Sequence, residues 1–372
     1  SAKSPAVMRN ELRNDLEKIS DEERLVALVK YVRSEELRIG TRYLIGRTGG
    51  SFQELTGLAD LYLQEVYKTC YRQLIKRYGV PVSNSGRKSG FAVIGFGKLG
   101  GREIDFGSDL DIMFLYEEGG KTTGGLDSID NYSFFTKLSQ LMVKTIKRHT
   151  RYGVSYLVDL DIRPEGKQGN LAVMAGQLPL YYEKRARLWE FQALLKARPV
   201  AGDNEGFFDY FNKMKQNILK SKDLKNISGQ ISGMLSEIRR QRVAPQPDVR
   251  DLKLGEGGIM DIEFLVQEIQ LKHGVYDSNT LSALKSIQEK SLISPKQHKA
   301  LKDAYLFFRE VISRERLIEG RSCHTISTLP DQLEVLAKRL DYPADNNKDP
   351  GQALYNKYLY HTAKVIEVRR KT

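Results

Sequence analysis

Over roughly the first eighty residues apolar positions recur at helical spacing. Ser51-Phe-Gln-Glu54 has the form of a capping box, in which a Ser hydroxyl and a Glu carboxylate satisfy the free amides of a helix start, and the periodic pattern then runs to Tyr78. Gly79 and Pro81 end it, and "VSNSGRKSG" reads as a polar loop. From Phe91 the texture becomes that of strands. "FAVIGF" and "DIMFLYE" are short, apolar, β-branched and aromatic runs, and "SYLVDLDIR" and "NLAVMA" follow a helical stretch from about Ile129 to His149. After Gln177 nearly everything is helical in period. Ile259, Ile262, Val266 and Ile269 form one apolar stripe, and amphipathic patterns continue through "HKALKDAYLFFREVISRERLIEG" to the C-terminus.

The outline is a helical entry, a small α/β middle and a helical tail, with no internal repeat. "APQPD" (Ala244 to Asp248) and "YPADNNKDPG" (Tyr342 to Gly351) are the best loop candidates, too short to prove flexible linkers. A chain of 372 residues exceeds one ordinary core. The expected division is an N-terminal helical segment over 1–85, a catalytic domain over 86–215 and a C-terminal helical bundle over 216–372.

Composition and charge narrow the function classes. A hydrophobic share of 40% is enough for packed cores, and no apolar run approaches membrane-spanning length. The polar start lacks a signal-peptide apolar region, so a cytoplasmic protein is expected, with Ser1-Ala2 reading as a cloning remnant. Cys70 and Cys323 form no CxxC pattern, and the five histidines include no HExxH, so disulfide scaffolds and zincins are not signalled. The net charge of +12 would suit a polynucleotide, but Lys and Arg are interleaved with acids, as in "EKRARLWE", which is how solvated helix faces look. An anionic nucleotide or an acidic protein explains the charge equally well.

The stretch "AVIGFGKLGGREIDFGSDLDIMFLYEE", Ala92 to Glu118, carries two competing signals. Gly95, Gly97 and Gly100 spell GxGxxG. A dinucleotide site needs a crossover helix next, and the eight residues Gly101–Ser108, interrupted by Gly107, leave no room for one. No Gly-Lys-Ser/Thr follows either, so a Walker A loop fails. The acids read better. On a strand, side chains two apart share a face, so Asp109 and Asp111 project together, as a hard cation bound to substrate phosphates requires. The bland alternative is a solvated pair at an edge strand.

Gly100, Gly101 and Ser108 beside the acids are small residues whose amides suit close approach of a triphosphate. The second strand, "YLVDLDIRPEGKQG", offers Asp159, Asp161 and Arg163 on one face by the same rule, and a third carboxylate completes a two-metal site. This is the pattern of polymerase-β-type nucleotidyltransferases. It implies an α+β fold whose core is a small mixed sheet with helices.

The words "GFGKLGGREIDFGSDLDIMFLYE", "VDLDIRPEGKQGNL", "LWEFQALLKARPVAGD" and "DLKLGEGGIMDIEFLVQ" resemble, in order and spacing, the glutamine synthetase adenylyltransferase family, as does "SEELRIGTRYLIG" near the start. The resemblance covers nearly the whole chain. Family members carry two nucleotidyltransferase halves; this chain has one set of motifs, and "WEFQALLKARPVAGD" resembles the C-terminal, AMP-attaching half. The resemblance implies transfer of AMP from ATP to a tyrosine of glutamine synthetase, with two Mg²⁺ or Mn²⁺ ions and a PII-type signalling protein as regulator. The rivals are phosphorolytic removal of that AMP and, more distantly, nucleotide addition to RNA. By position Asp109 and Asp111 are the metal pair and Asp159 the third ligand. Asp161 stands where the family usually has a basic residue, and is the alternative ligand.

For the remaining residues two readings stay open. Lys98 and Arg102 flank the glycine turn as phosphate contacts or exposed loop charges; Arg163, followed by Lys167, leans to phosphate. Lys196 and Arg198 lie near a helix end, where cations also suit the macrodipole. Trp189 reads as core rather than a base-stacking platform, and the sequence assigns no role to Glu190. Gly257 and Gly258 read as a turn before a helix, with Asp261 and Glu263 serving its dipole; the resemblance instead implies that this loop faces the active site.

Overall fold

The computed structural model describes residues 2–17, 19–46, 48–203, 205–221, 226–242, 246–320, 323–342 and 349–372, so part of each loop candidate, "APQPD" and "YPADNNKDPG", lies outside the described residues. The chain is mixed helix and sheet and divides into two units, residues 1–222 and 223–372. In the first, three helices, α1 (Pro5–Leu16), α2 (Asp21–Leu44) and α3 (Ser51–Tyr78), precede β1 (Gly79–Ser83), β2 (Phe91–Gly95), the one-turn α4 (Gly97–Gly100), β3 (Leu110–Tyr116) and β4 (Gly120–Gly124). Then come α5 (Asn131–Ile146), β5 (Val158–Asp159), β6 (Ala172–Met174), α6 (Leu178–Lys184), α7 (Leu188–Lys196), β7 (Arg198–Gly202) and α8 (Glu205–Ser221).

The central sheet has the order β5-β3-β2-β7, antiparallel between β3, β2 and β7, while β5 and β6 both lie parallel to β3 on its other side. Helices α3 and α5 cover it. The ring of Phe91 stacks on Tyr67 of α3 and on Phe135 of α5, with centroids 5.6 and 5.5 Å away, which joins sheet and helices through buried aromatic area.

The long apolar runs became β2, β3 and β6 as expected, and α3 ends where Gly79, with φ +78, leaves the helix. Several elements differ. The strand of "SYLVDLDIR" is only Val158–Asp159. Part of the expected loop after Gly79 is β1, paired with β4 in a two-stranded ribbon. The strand β7 interrupts the helical tail; its Pro199 is tolerated because β7 is an edge strand and pairs at a bulge between Val93 and Ile94. The capping box is absent. Gly50 precedes Ser51 in a left-handed conformation, and Glu54 instead accepts from the Lys3 amide and from Arg38, both at 2.7 Å, and from Arg42. Two guanidiniums from α2 outcompete a helix-terminal amide for this buried carboxylate.

Lys215 on α8 is buried, with Nζ donating to Ala197 O at 2.7 Å, and burial pushes its ammonium down from 10.5 to about 8. Between those values the unfolded chain holds the proton and the folded chain sheds it, so stability rises with pH across that window and this contribution is flat below it. Relative to wild type, Lys215→Met is therefore expected to lose ground as pH rises from 7 to 10, read from urea midpoints. A constant difference would contradict this.

The second unit holds α9 (Ile227–Arg242), β8 (Val249–Asp251), α10 (Ile259–His273), α11 (Thr280–Glu289), α12 (Pro295–Glu319), β9 (Thr325–Ser327), α13 (Pro330–Arg339) and α14 (Pro350–Lys371). The stripe Ile259, Ile262, Val266 and Ile269 is buried in its core, and β8 and β9 form a short antiparallel pair. Among the described residues no helix is long and apolar enough to cross a membrane.

Candidate active site

Strand β2 ends at Gly95, and the chain turns through Phe96, whose amide donates to Asp111 O at 2.9 Å and so ties the turn to β3. Gly97 follows with φ +51. A Cβ there would fall 2.3 Å from Asp111 Oδ2, so the carboxylate rests against a bare Cα that no other residue could offer. Within β3 only Asp111 is not buried.

Strand β5 adds its carboxylate beside this one. Leu110 N donates to Leu157 O at 2.9 Å, and the parallel register sets Asp111 directly opposite Asp159. Asp109 stands just before β3 and is exposed, as is Asp159. The structure thus brings Asp111 and Asp159 together on neighbouring strands, with Asp109 two residues before Asp111 in the chain.

Asp161 does not share that strand face, because β5 ends at Asp159 and the chain turns. The Asp161 amide donates to Asp159 Oδ1 at 2.7 Å, and its own carboxylate lies 3.4 Å from Lys167 Nζ. Arg163 is likewise turned away. It is buried, donating Nε to Gly169 O at 3.2 Å, Nη1 to Leu160 O at 2.7 Å and Nη2 to Lys167 O at 3.0 Å. The expected phosphate ligand instead cinches its own loop.

The glycine turn also differs from the expected cradle. Gly100 N donates to Phe96 O at 2.8 Å and Gly101 N to Gly97 O at 3.0 Å, so neither amide is open to a phosphate. The missing side chain of Gly100 makes room for protein, since a Cβ would meet Lys196 O at 2.1 Å and Gly95 O at 2.6 Å. Ser108 Oγ accepts the Asp105 amide at 3.1 Å in the loop leading to Asp109.

The flanking cations separate into two kinds. Lys196 is buried in an ion pair with Glu103 at 2.8 Å. Arg198 donates to Gly100 O, Leu99 O and Asp60. Lys98 lies 3.7 Å from Asp105, while Arg102 and Lys167 are exposed. Trp189 is exposed too, against the core expectation, because α7 buries Glu190, Phe191, Leu194 and Leu195 instead. Glu190 accepts the Arg187 amide and the Tyr181 hydroxyl, a helix-start role that the sequence left unassigned. Sequence reasoning gave Gly97 no place at the site; its position directly after a strand and before Lys98 was the available signal.

Oxygen-only donors suit a hard divalent cation that keeps water and phosphate ligands. Among the described residues no three carboxylate, imidazole or thiolate side chains converge closely enough to hold a metal by themselves. A cation at these acids would take its remaining ligands from water and triphosphate. None of Asp109, Asp111 and Asp159 lines the cavity of about 800 Å³ bounded by Lys3, Asp60, Arg102, Arg198 and Phe208.

The second unit holds the other predicted residues. Asp261 is buried and accepts the Gly257 amide at 2.6 Å, Arg369 Nη1 at 2.8 Å and Arg239, which joins α9, α10 and α14. Gly257, with φ +76, lies against Thr362 O; Gly258 caps α10, and Glu263 is half-buried. Asp261 thus stands in the first turn of α10, where the helix dipole favours a carboxylate, and holds two arginines as well. Asp261→Asn is expected to cost about 3 kcal/mol, because both guanidiniums, each only partly exposed, lose their counter-charge. A lowered thermal midpoint of the full chain checks this.

Residues 1–210 match the family described as glutamate-ammonia ligase adenylyltransferase, and residues 233–372 match that described as GlnD PII-uridylyltransferase. Curated relatives named bifunctional glutamine synthetase adenylyltransferase/adenylyl-removing enzyme include those of Alteromonas mediterranea, 32% identical over 89% of this chain and 34% of theirs, and Hahella chejuensis, 31% identical over 78% and 31%. That of Aromatoleum aromaticum is 32% identical over 87% of this chain and 35% of its own length. The chain thus spans about a third of the length of these relatives. With the motifs of the glycine turn and both acid-bearing strands inside the matched region, the chain belongs to the glutamate-ammonia ligase adenylyltransferase family.

Proposed function

We propose that this chain is a divalent-cation-dependent nucleotidyltransferase that moves AMP from ATP to a tyrosine hydroxyl of glutamine synthetase, releasing pyrophosphate. The observation that carries the reading is the register of Asp111 beside Asp159, at the lip of a glycine turn, in a chain of this family. Residues 86–215 are its catalytic domain, between the helical segment 1–85 and the bundle 216–372. Its core is of the polymerase-β type; the mixed sheet around β3 supports this. The AMP-attaching, C-terminal half of the relatives is the counterpart. The match of residues 233–372 supports a PII-type protein as regulator. The reaction belongs in the cytoplasm, with ATP and glutamine synthetase.

A phenol with pKa near 10 is ionised in only about one molecule in a thousand at pH 7, a deficit of roughly 4 kcal/mol. Two Mg²⁺ or Mn²⁺ ions held by Asp109, Asp111 and Asp159 would supply charge neutralisation for the triphosphate and lower the cost of ionising the hydroxyl. Asp159, with one oxygen engaged by the Asp161 amide, uses the other to take the tyrosine proton. The phenol oxygen then bonds to the α-phosphorus as the bond to pyrophosphate breaks. Lys98 and Arg102 flank the turn where the triphosphate would lie.

The test is labelled ATP with Mg²⁺ or Mn²⁺ and glutamine synthetase, run beside phosphate with adenylylated glutamine synthetase. Label on glutamine synthetase supports the proposal. Phosphate-dependent ADP release alone would assign the chain to the reverse reaction.

A further inference from the structure

We propose that Arg198 and Asp60 form a clamp that fixes α4, and through it Asp111, so that Arg198 is a positioning residue rather than a nucleotide contact. The inference rests on the assignment of Asp111 to the active site. Helix α4 is a single turn, too short to hold itself; Leu99 O accepts the Arg102 amide at 3.2 Å just beyond it, and Arg198 adds side-chain donors to this carbonyl and to that of Gly100. Its Nε donates to Gly100 O at 3.1 Å and its Nη2 to Leu99 O at 3.0 Å, placing a cation at the C-terminal end of the turn.

Nη2 also reaches Asp60 Oδ1 at 2.9 Å, and Asp60 stands on the long α3, so the guanidinium is held from the far side. Nη1 faces Pro199 O at 3.4 Å. The fork is thus committed to backbone and to Asp60, with its side chain only 12% exposed. Lys196 O presses on Gly100 from β7's approach. At the other end of the same turn Gly97 touches the Asp111 carboxylate, and the Phe96 amide holds Asp111 O. Tilting the turn therefore moves the surface on which Asp111 rests. A lysine cannot replace the clamp, because one ammonium cannot make three planar, divergent bonds.

The experiment compares full-length wild type, Arg198→Lys, Arg198→Gln and Asp60→Asn by amide hydrogen exchange over residues 96–112 and by AMP transfer. Arg198→Gln is expected to speed exchange of the Gly100 and Gly101 amides by about tenfold. It should lower kcat by about 10²-fold, as a misplacement of about 1 Å does, with KM for ATP within about threefold of wild type. Asp60→Asn should move the same quantities in the same direction by less, and Arg198→Lys should not rescue. Unchanged exchange with a raised KM for ATP, or rescue by lysine, would overturn the clamp. If Arg198→Gln fails to fold, Asp60→Asn carries the test alone. If wild type transfers no AMP, the functional reading fails, while the exchange rates still decide the clamp.

Discussion

Asp111→Asn is expected to lower AMP transfer by at least about 10²-fold, the usual loss when one charge-stabilising group is removed from a reacting centre. Asparagine keeps the shape, so the side chain still packs on Gly97 and the backbone still accepts from Phe96. Only the charge goes. Asp111 and Asp159 stand opposite each other on paired strands, and like charges so arranged repel. The variant should therefore melt at the wild-type temperature or slightly above it. Activity lost at undiminished stability marks a group retained for chemistry. The paired assay is transfer rate beside thermal midpoint, and a variant that keeps a tenth or more of wild-type activity would remove Asp111 from the mechanism.

Gly100→Ala is expected to act in the opposite way, through the fold. The added carbon would lie 2.1 Å from Lys196 O and 2.6 Å from Gly95 O, both backbone atoms with no side-chain freedom to yield. Either the turn or the α7–β7 connection has to shift. Overpacking typically costs up to about 3 kcal/mol, and the rigidity of both neighbours puts this site at the upper end. The thermal midpoint of the full chain should fall by several degrees, about 2 to 4 °C for each kcal/mol in a unit of this size. Activity per folded molecule should drop as well, since the same turn supports Asp111. A midpoint unchanged to within a degree would show that the turn is softer than its contacts imply.

These two outcomes sort the glycine turn and the acids into different roles, and the sequence announced only one of them. Spacing by two made Asp109 and Asp111 legible, because strand geometry leaves little choice for such a pair. The apolar runs of β2 and β3 were long enough to declare themselves. β5, with two residues, and β7, with a proline inside it, are defined by their pairing to neighbours, which no local pattern records.

The cations were the least legible. Arg163, Lys196 and Arg198 all stand near glycines, acids or a helix end, where the sequence leans to phosphate for the first and leaves phosphate or the helix dipole open for the other two. Whether a guanidinium points to a ligand or to a carbonyl depends on what the fold places beside it. Glu54 shows the same limit: its spacing from Ser51 fits a cap, and two arginines of α2 take it instead. Gly97 was legible as a glycine but not as the surface beneath Asp111, because that contact joins the α4 turn to β3.

The central claim is that these carboxylates drive adenylyl transfer to a tyrosine. The most direct measurement is mass spectrometry of glutamine synthetase peptides after incubation with ATP, Mg²⁺ and either wild type or Asp111→Asn. The account predicts AMP on a tyrosine with wild type and at least about a hundredfold less of it with the variant over the same incubation. AMP on another residue type, or equal modification by both proteins, would contradict it.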